Sequence, residues 1–152
     1  MALLECPPKA AQLSRRHAST IYTRPAAIIA AVIVGMGIDA LEPSRLAASL
    51  ERRPGLAQRL FTQGEIAYSE STGDPVKHLA ARFCAKEAVT KALALDAFEP
   101  GDIEVQRDGR GMSVSLQGRP AERADALGAE LRVSLTHLDS IAIAVAVAVT
   151  SR

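Results

Sequence analysis

Three short segments carry the side chains that could do chemistry. The first is Gly35-Met-Gly-Ile-Asp39, where a carboxylate follows an apolar, β-branched run. A carboxylate just past the end of a buried strand has a backbone fixed by the sheet and a side chain in solvent, which suits a hard cation such as Mg²⁺. Asp39 could equally cap a helix entered near Pro43, and the local spacing leaves both roles open.

The second segment is Arg82-Phe-Cys-Ala-Lys-Glu-Ala-Val-Thr-Lys91. On a helix, Phe83, Glu87 and Lys91 share one face, and Arg82 and Lys86 share the adjacent face. An ordinary surface helix with Glu–Lys pairs has the same spacing. Because Phe83 lies on the Glu87 face, however, the pattern places this acid beside the core.

The third segment is Val133-Ser-Leu-Thr136-His137, which follows the pattern of a strand up to its end. A single histidine is more often structural or solvated than functional. Here Ser134, Thr136 and His137 together form a group of donors suited to phosphate oxygens.

The elements that must position these segments alternate irregularly between strands and helices, which favours an α+β fold over a regular β-α-β arrangement. Thr62 followed by Glu65 matches a capping box that opens a helix. Residues 103–116 have the period-two pattern and the Gly-rich turn of a hairpin. The other predictions are a buried strand over 28–38 ended by Gly35-Met-Gly37, helices over 44–50, 76–95 and 120–127, and strands over 131–135 and 141–149.

The chain has 152 residues, enough for one domain with a real core. Its formal charge of +1 does not favour general nucleic-acid binding. Residues 1–34 carry a net +3, which leaves −2 for residues 35–152. The two cysteines, Cys6 and Cys84, lie in a tail and in an apolar helical pattern, so a disulfide is not expected and a reducing, cytoplasmic compartment fits.

The N-terminal residues allow three interpretations. The apolar stretch 26–34 resembles the core of a signal peptide, but it is too short to span a bilayer as a helix. Residues 1–24 also have the basic, acid-poor composition of an organellar transit peptide. We favour a third interpretation, in which 1–31 is an extension, from a mis-called start codon or otherwise, ahead of a single domain at 32–152.

In their order and separation, the three segments resemble those of the holo-[acyl-carrier-protein] synthases, the short single-domain class of 4′-phosphopantetheinyl transferases. The resemblance covers about residues 32–149. It implies the fold of that family, a mainly antiparallel sheet packed against a long helix. It also implies Mg²⁺-dependent transfer of 4′-phosphopantetheine from coenzyme A to a serine of an apo-acyl-carrier protein, with release of 3′,5′-ADP, in support of fatty acid biosynthesis.

The resemblance also implies roles for individual residues. Asp39 and Glu87 match the metal ligands, and Glu87 and Lys91 the catalytic positions; either Glu87 or a metal-bound water could be the base. Positions that line the coenzyme A phosphates are matched by Arg82, Lys86, Lys91, Thr136 and His137. Basic residues that dock the acidic carrier protein are matched by Arg45 and Arg59. Arg52 lies in the same basic stretch, which suits an acidic partner but could also be an ordinary solvated face.

Members of the family are homotrimers with the active site between subunits, so the resemblance implies a homotrimer. A carrier-binding module without chemistry is one alternative, which the complete set of Asp39, Glu87 and Lys91 argues against. A different Mg²⁺-dependent phosphate-transfer enzyme is another, and no Walker-type Gly-x-x-x-x-Gly-Lys sequence supports it. No membrane partner is expected.

Overall fold

The computed structural model describes residues 31–109 and 111–151, which form a three-stranded and a two-stranded antiparallel sheet around one long helix. This confirms the predicted α+β fold, with a mainly antiparallel sheet against a long helix. No helix in these ranges is both long and apolar enough to cross a membrane. In chain order the elements are β1 (Ala31–Leu41), α1 (Pro43–Arg52), α2 (Leu56–Leu60), α3 (Gln63–Glu70), α4 (Pro75–Ala92), a 3₁₀ turn (Pro100–Asp102), β2 (Ile103–Asp108), β3 (Gly111–Leu116), α5 (Gly118–Leu127), β4 (Glu130–His137) and β5 (Ala142–Ser151).

Small residues let α4 lie close to the three-stranded sheet, whose strand order is β1-β5-β4. Along β5, alanines alternate with larger β-branched residues, and the alanines are the ones that are buried. The buried side of α4 is also built largely from small residues, so helix and sheet backbones approach each other closely. The buried small residues are Ala142, Ala144, Ala146 and Ala148 on β5 and Ala80, Ala81, Cys84, Ala85, Ala88 and Ala92 on α4.

The glycines of β1 lie inside the strand, so the prediction that Gly35-Met-Gly37 ends it is wrong. A Cβ on Gly35 would overlap the Ala92 carbonyl of α4, and one on Gly37 would overlap the Ala88 carbonyl. These glycines therefore mark the place where the helix backbone touches the strand, and the strand continues past them.

Asp39 consequently lies within β1, paired in register with Ala144 of β5, and not just past the strand end. The N-cap of α1 is Glu42, so Asp39 does not cap that helix.

Most local predictions are confirmed. Thr62 and Glu65 form the predicted capping box, and the hairpin pairs Ile103 with Leu116. The predicted helices and the last two strands are present with shifts of a few residues at their ends. The predicted extension 1–31 lies outside the described residues except for Ala31, and so do Cys6 and the start of the strand predicted from residue 28.

The face of the three-stranded sheet that points away from α4 is apolar along β1 and β5, whereas β4 adds polar residues to it, namely Glu130, Arg132, Ser134 and Thr136. On β1, Met36 is 69% exposed and Ile38 is 61% exposed. Their register partners on β5, Val147 and Val145, are only half-buried. We call this surface the outer sheet face; contiguous exposed apolar surface of this kind marks an interaction site.

We predict that Gly37→Ala destabilises the protein by about 3 kcal/mol, because the new methyl group meets helix backbone that cannot move aside. It would lie 2.8 Å from the Lys91 Cβ and 2.9 Å from the Ala92 nitrogen. Gly73→Ala is the matched control, since its added Cβ meets no described atom within 4 Å. Urea unfolding measures both, and equal midpoints for the two variants would show that α4 does not depend on this contact.

Candidate active site

Asp39, Glu87 and Lys91 meet where β1 passes under α4. The Lys91 ammonium donates to the Asp39 Oδ1 at 2.7 Å and to the Ile38 carbonyl at 3.0 Å. Glu87 lies one helical turn before Lys91, on the same face. The Lys91 side chain is 48% exposed and that of Asp39 19%, so the cluster is open to solvent on the lysine side.

Electrostatics in this cluster favour a bound cation. Partial burial and the nearby negative charge of Asp39 raise the pKa of Glu87, while Lys91 opposes the shift. A cation placed between the two carboxylates would offset the effect of the Asp39 charge on Glu87.

The donor set fits Mg²⁺ shared with a substrate. Within the described ranges, no group of three or more His, Cys, Asp or Glu side chains is arranged to hold a metal by itself. Mg²⁺ in phosphate-transfer sites is commonly held by one or two carboxylates, with substrate oxygens and water completing its shell. Asp39 and Glu87 supply that number of carboxylates.

Cys84, one turn before Glu87, does not add a nucleophile. Burial and the charge of Asp39 raise the pKa of the Cys84 thiol to about 12. The thiol donates weakly to the Ala142 carbonyl at 3.5 Å. It therefore stays protonated and acts as a small buried side chain.

Three of the residues predicted to bind coenzyme A line a cavity of about 410 Å³, separate from the Asp39–Glu87–Lys91 cluster, which we call the basic cavity. They are Arg82 from α4 and Thr136 and His137 from the end of β4. The cavity is also lined by basic and aromatic residues that the sequence did not lead us to predict. His78 could have been predicted, because it lies one helical turn before Arg82 and so shares its face of the helix. These additional residues are Tyr68, His78 and Arg107.

Lys86 is not at either site, so its prediction as a coenzyme A residue requires correction. Its ammonium is fully buried and lies 2.7 Å from Glu65. It also donates to the carbonyls of Leu60 at 2.9 Å and Pro100 at 2.7 Å. Burial lowers the pKa of Lys86, and Glu65 opposes that shift. All three donors of the ammonium thus have partners inside the chain, and Lys86 acts as a structural residue.

Two of the three predicted docking arginines line a groove of about 460 Å³ beside α1. Arg45 and Arg52 lie on its rim, and Arg53 joins them. Arg59 is exposed on α2 but is not among the lining residues. The apolar part of the lining includes Phe83, which lies one helical turn from Glu87, so the groove lies next to the carboxylates. The other apolar lining residues are Leu41, Leu46, Ala48, Leu56 and Leu60.

Comparisons with known proteins agree on one family. The family model for the 4′-phosphopantetheinyl transferase superfamily matches residues 35–146. A holo-[acyl-carrier-protein] synthase of Moorella thermoacetica is 44% identical over 119 residues, covering 76% of this chain and 93% of the relative.

Solved structures give the same result. A holo-ACP-synthase from Plasmodium yoelii superposes with a TM-score of 0.70 at 28% identity, covering 80% of this chain and 98% of that chain. A holo-(acyl-carrier-protein) synthase from Bacillus anthracis, solved in complex with CoA (3′,5′-ADP), superposes with a TM-score of 0.62 at 28% identity, covering 78% and 98%.

We predict opposite outcomes for the two lysines of α4 when each is replaced by methionine. Lys86→Met leaves the Glu65 carboxylate buried without its cation and destabilises the protein by about 3–5 kcal/mol. Lys91→Met removes a half-exposed ion pair and costs no more than about 1 kcal/mol. Urea unfolding monitored by circular dichroism measures both. A Lys86→Met variant as stable as the parent would return Lys86 to the list of candidate ligand-binding residues.

Proposed function

The chain belongs to the holo-[acyl-carrier-protein] synthases of the 4′-phosphopantetheinyl transferase superfamily, and we propose that it carries out the reaction of that family. In this reaction 4′-phosphopantetheine passes from coenzyme A to a serine of an apo-acyl-carrier protein. The proposal includes a Mg²⁺ ion held by Asp39 and Glu87. The observation that carries the metal assignment is the pair of carboxylates brought together by β1 and α4, beside Lys91. Relatives bear the name of this activity, and one neighbouring structure contains CoA (3′,5′-ADP).

The reaction needs charge neutralisation more than covalent help. The carrier serine attacks the β-phosphorus of coenzyme A, and 3′,5′-ADP leaves with the electrons of the broken P–O bond. Bound Mg²⁺ would neutralise the developing negative charge on the pyrophosphate. Asp39 and Glu87 would orient the pyrophosphate through the metal, and the Lys91 ammonium is exposed enough to turn from Asp39 to a phosphate oxygen. Glu87, as one of the two carboxylates of the cluster, would be placed to accept the serine proton.

The two grooves suit the two substrates. Arg82, Thr136 and His137 present donors to coenzyme A phosphates in the 410 Å³ cavity. Arg45 and Arg52, together with Arg59 on the neighbouring α2, give a basic surface for an acidic carrier protein. Such charges chiefly raise the rate of encounter, while the apolar floor of the groove adds contact area next to Glu87.

We further propose a homotrimer that buries the outer sheet face. The exposed apolar residues of β1 and the half-buried ones of β5 form one continuous surface on the described part of the chain. Packing this surface against other copies of the chain would remove it from water, at roughly 25 cal/mol for each Å² of apolar area. Trimer formation would also bring the carboxylates of one subunit towards the basic cavity of the next.

We also propose a domain boundary and a cellular setting for this enzyme. Residues 32–152 form the transferase domain and residues 1–31 an extension to it. The enzyme works in the cytoplasm, where it activates a carrier protein of fatty acid biosynthesis.

We predict that Asp39→Asn and Glu87→Gln each lower the rate of carrier modification by roughly a hundredfold, because each removes one negative ligand of the cation. Incubation with apo-carrier, coenzyme A and Mg²⁺, followed by intact-mass analysis of the carrier, measures the product, and addition of EDTA should abolish it. Asp96→Asn and Glu70→Gln are matched controls, since both acids are exposed and neither lines the groove beside α1 or the basic cavity. Undiminished modification by the Asp39 and Glu87 variants would refute the metal assignment. Carrier binding without release of 3′,5′-ADP by the parent protein would indicate a binding module instead.

We predict that Met36→Asp dissociates the trimer into monomers, because it places a charge among the exposed apolar side chains of the outer sheet face. Sedimentation velocity measures the mass, and circular dichroism tests whether the subunit stays folded. Carrier modification should fall together with the trimer. A folded Met36→Asp variant that still sediments as a trimer would place the subunit contact elsewhere, and Arg119→Asp on exposed α5 controls for surface charge.

A further inference from the structure

His78 lines the basic cavity, and two aromatic neighbours hold its ring in place. Its ring makes edge-to-face contacts with Tyr68, at 5.8 Å between centroids, and with His137, at 4.7 Å. Its carbonyl accepts a hydrogen bond from the Arg82 Nη1 at 3.3 Å. The imidazole is therefore a fixed part of the cavity wall and not a free surface side chain.

The cavity contains an excess of positive charge. His78 faces Arg82 on its own helix, Arg107 on β2 and His137 on β4. Burial, followed by the nearby His137 and Arg82, lowers the pKa of His78, and Asp74 at the N-cap of α4 opposes the shift only in part. Asp74 is already paired with Lys77 at 2.7 Å, and Lys77 is also paired with Asp139. The side chains that surround His78 are thus Tyr68, Asp74, Arg82, Arg107 and His137.

Arg82, which lines this cavity, has one N–H donor without a hydrogen-bond partner among the described residues. The residue is only 2% exposed, and among the described atoms its buried Nε has no hydrogen-bond partner. Its guanidinium lies over the Tyr68 ring, with Cζ 4.2 Å from the centroid. A buried cation with an unused donor is costly, and an anionic oxygen in the cavity would relieve that cost.

We propose that His78 is a further phosphate-contacting residue of the coenzyme A site, and that it recognises the 3′-phosphate by taking up a proton as this group binds. This inference rests on the proposed function. The 3′-phosphate is a monoester with a charge between about −1.5 and −2 at neutral pH. Each phosphorus of the pyrophosphate has one ester and one anhydride link and carries about one negative charge, and the proposed reaction requires the pyrophosphate at Asp39 and Glu87. Of the phosphates of coenzyme A, the monoester is therefore the one that best matches four basic groups.

The expected pH dependence follows from two states of the imidazole. In the free protein its lowered pKa keeps it neutral near pH 7, and a bound dianion raises that pKa. Between the two pKa values, and above the second pKa of the phosphate at about 6, binding takes up a proton, so the affinity for a 3′-phosphate rises as the pH falls through this window. The affinity is lost again as the pH rises through the pKa of the bound state.

Isothermal titration of the full chain with 3′,5′-ADP and with 5′-AMP tests this directly, because the two nucleotides differ only in the 3′-phosphate. We expect His78→Gln to weaken 3′,5′-ADP binding by about tenfold near pH 6, and by clearly less near pH 8. Binding of 5′-AMP should change by less than about twofold. Titrations in buffers of different ionisation enthalpy should show proton uptake with 3′,5′-ADP for the parent and a clear reduction of it for the variant.

His78→Phe keeps an aromatic ring against Tyr68 and His137, so an equal loss in this variant assigns the effect to the imidazole charge and not to packing. Arg119→Gln, at an exposed position of α5, controls for a general loss of positive charge.

Unchanged discrimination between the nucleotides, or proton uptake that disappears only in His137→Gln, would overturn the inference for His78. If the parent loads carrier and His78→Gln binds both nucleotides like the parent, only this inference fails. If the parent neither binds coenzyme A nor loads carrier, the proposed function fails and this inference fails with it.

Discussion

The close contact between α4 and β1 is the constraint on which the candidate site depends. Two residues of a strand advance about 6.6 Å, and four residues of a helix advance about 6.0 Å. When a strand and a helix run side by side, every second strand residue can therefore stay opposite every fourth helix residue over several turns. Gly35 lies under Ala92 and Gly37 under Ala88, which are four apart on the helix. Asp39 is the next residue in this series, and the match places it beside the turn of α4 that carries Glu87.

The buried ion pair between Glu65 and Lys86 sets the rotation of α4 about its axis. Besides the Lys86 ammonium, Glu65 accepts from the backbone nitrogens of Thr62 and Val105, both at 2.9 Å. These contacts join α3, β2 and α4 at one point. Since consecutive helix residues point about 100° apart, fixing Lys86 in the interior leaves Glu87 turned towards the edge of the sheet. A buried ion pair is weak evidence for stability in itself, but it specifies an arrangement because a wrong rotation would leave a charge buried without a partner.

Local features of the sequence predicted most of the fold, whereas the errors concern contacts between distant elements. The capping box at Thr62 and the hairpin turn are encoded within a few residues, so spacing was enough to find them. The continuation of β1 through its glycines depends on α4, which lies about 50 residues further along the chain. The helix spacing grouped Lys86 with Arg82 correctly, since both are buried, but nothing local indicated that Glu65 would neutralise Lys86. The roles of Asp39 and Glu87 came from the resemblance, because each acid alone is compatible with a structural role.

One chain holds the two candidate phosphate sites at a distance. His78 and Glu87 are nine residues apart on α4, which corresponds to about 13 Å along the helix axis. Asp39 on β1 and His137 on β4 lie on opposite sides of β5. Asp39 pairs with Ala144 and His137 pairs with Ala142, two residues away on β5. A straight helix cannot shorten this separation, so a ligand that touches both sites must bridge it along one chain or reach from one copy to the next. The outer sheet face gives the second route a physical basis. It is the apolar surface of β1, the strand that carries Asp39, so an assembly that buries it also fixes where each carboxylate pair lies relative to the neighbouring cavity.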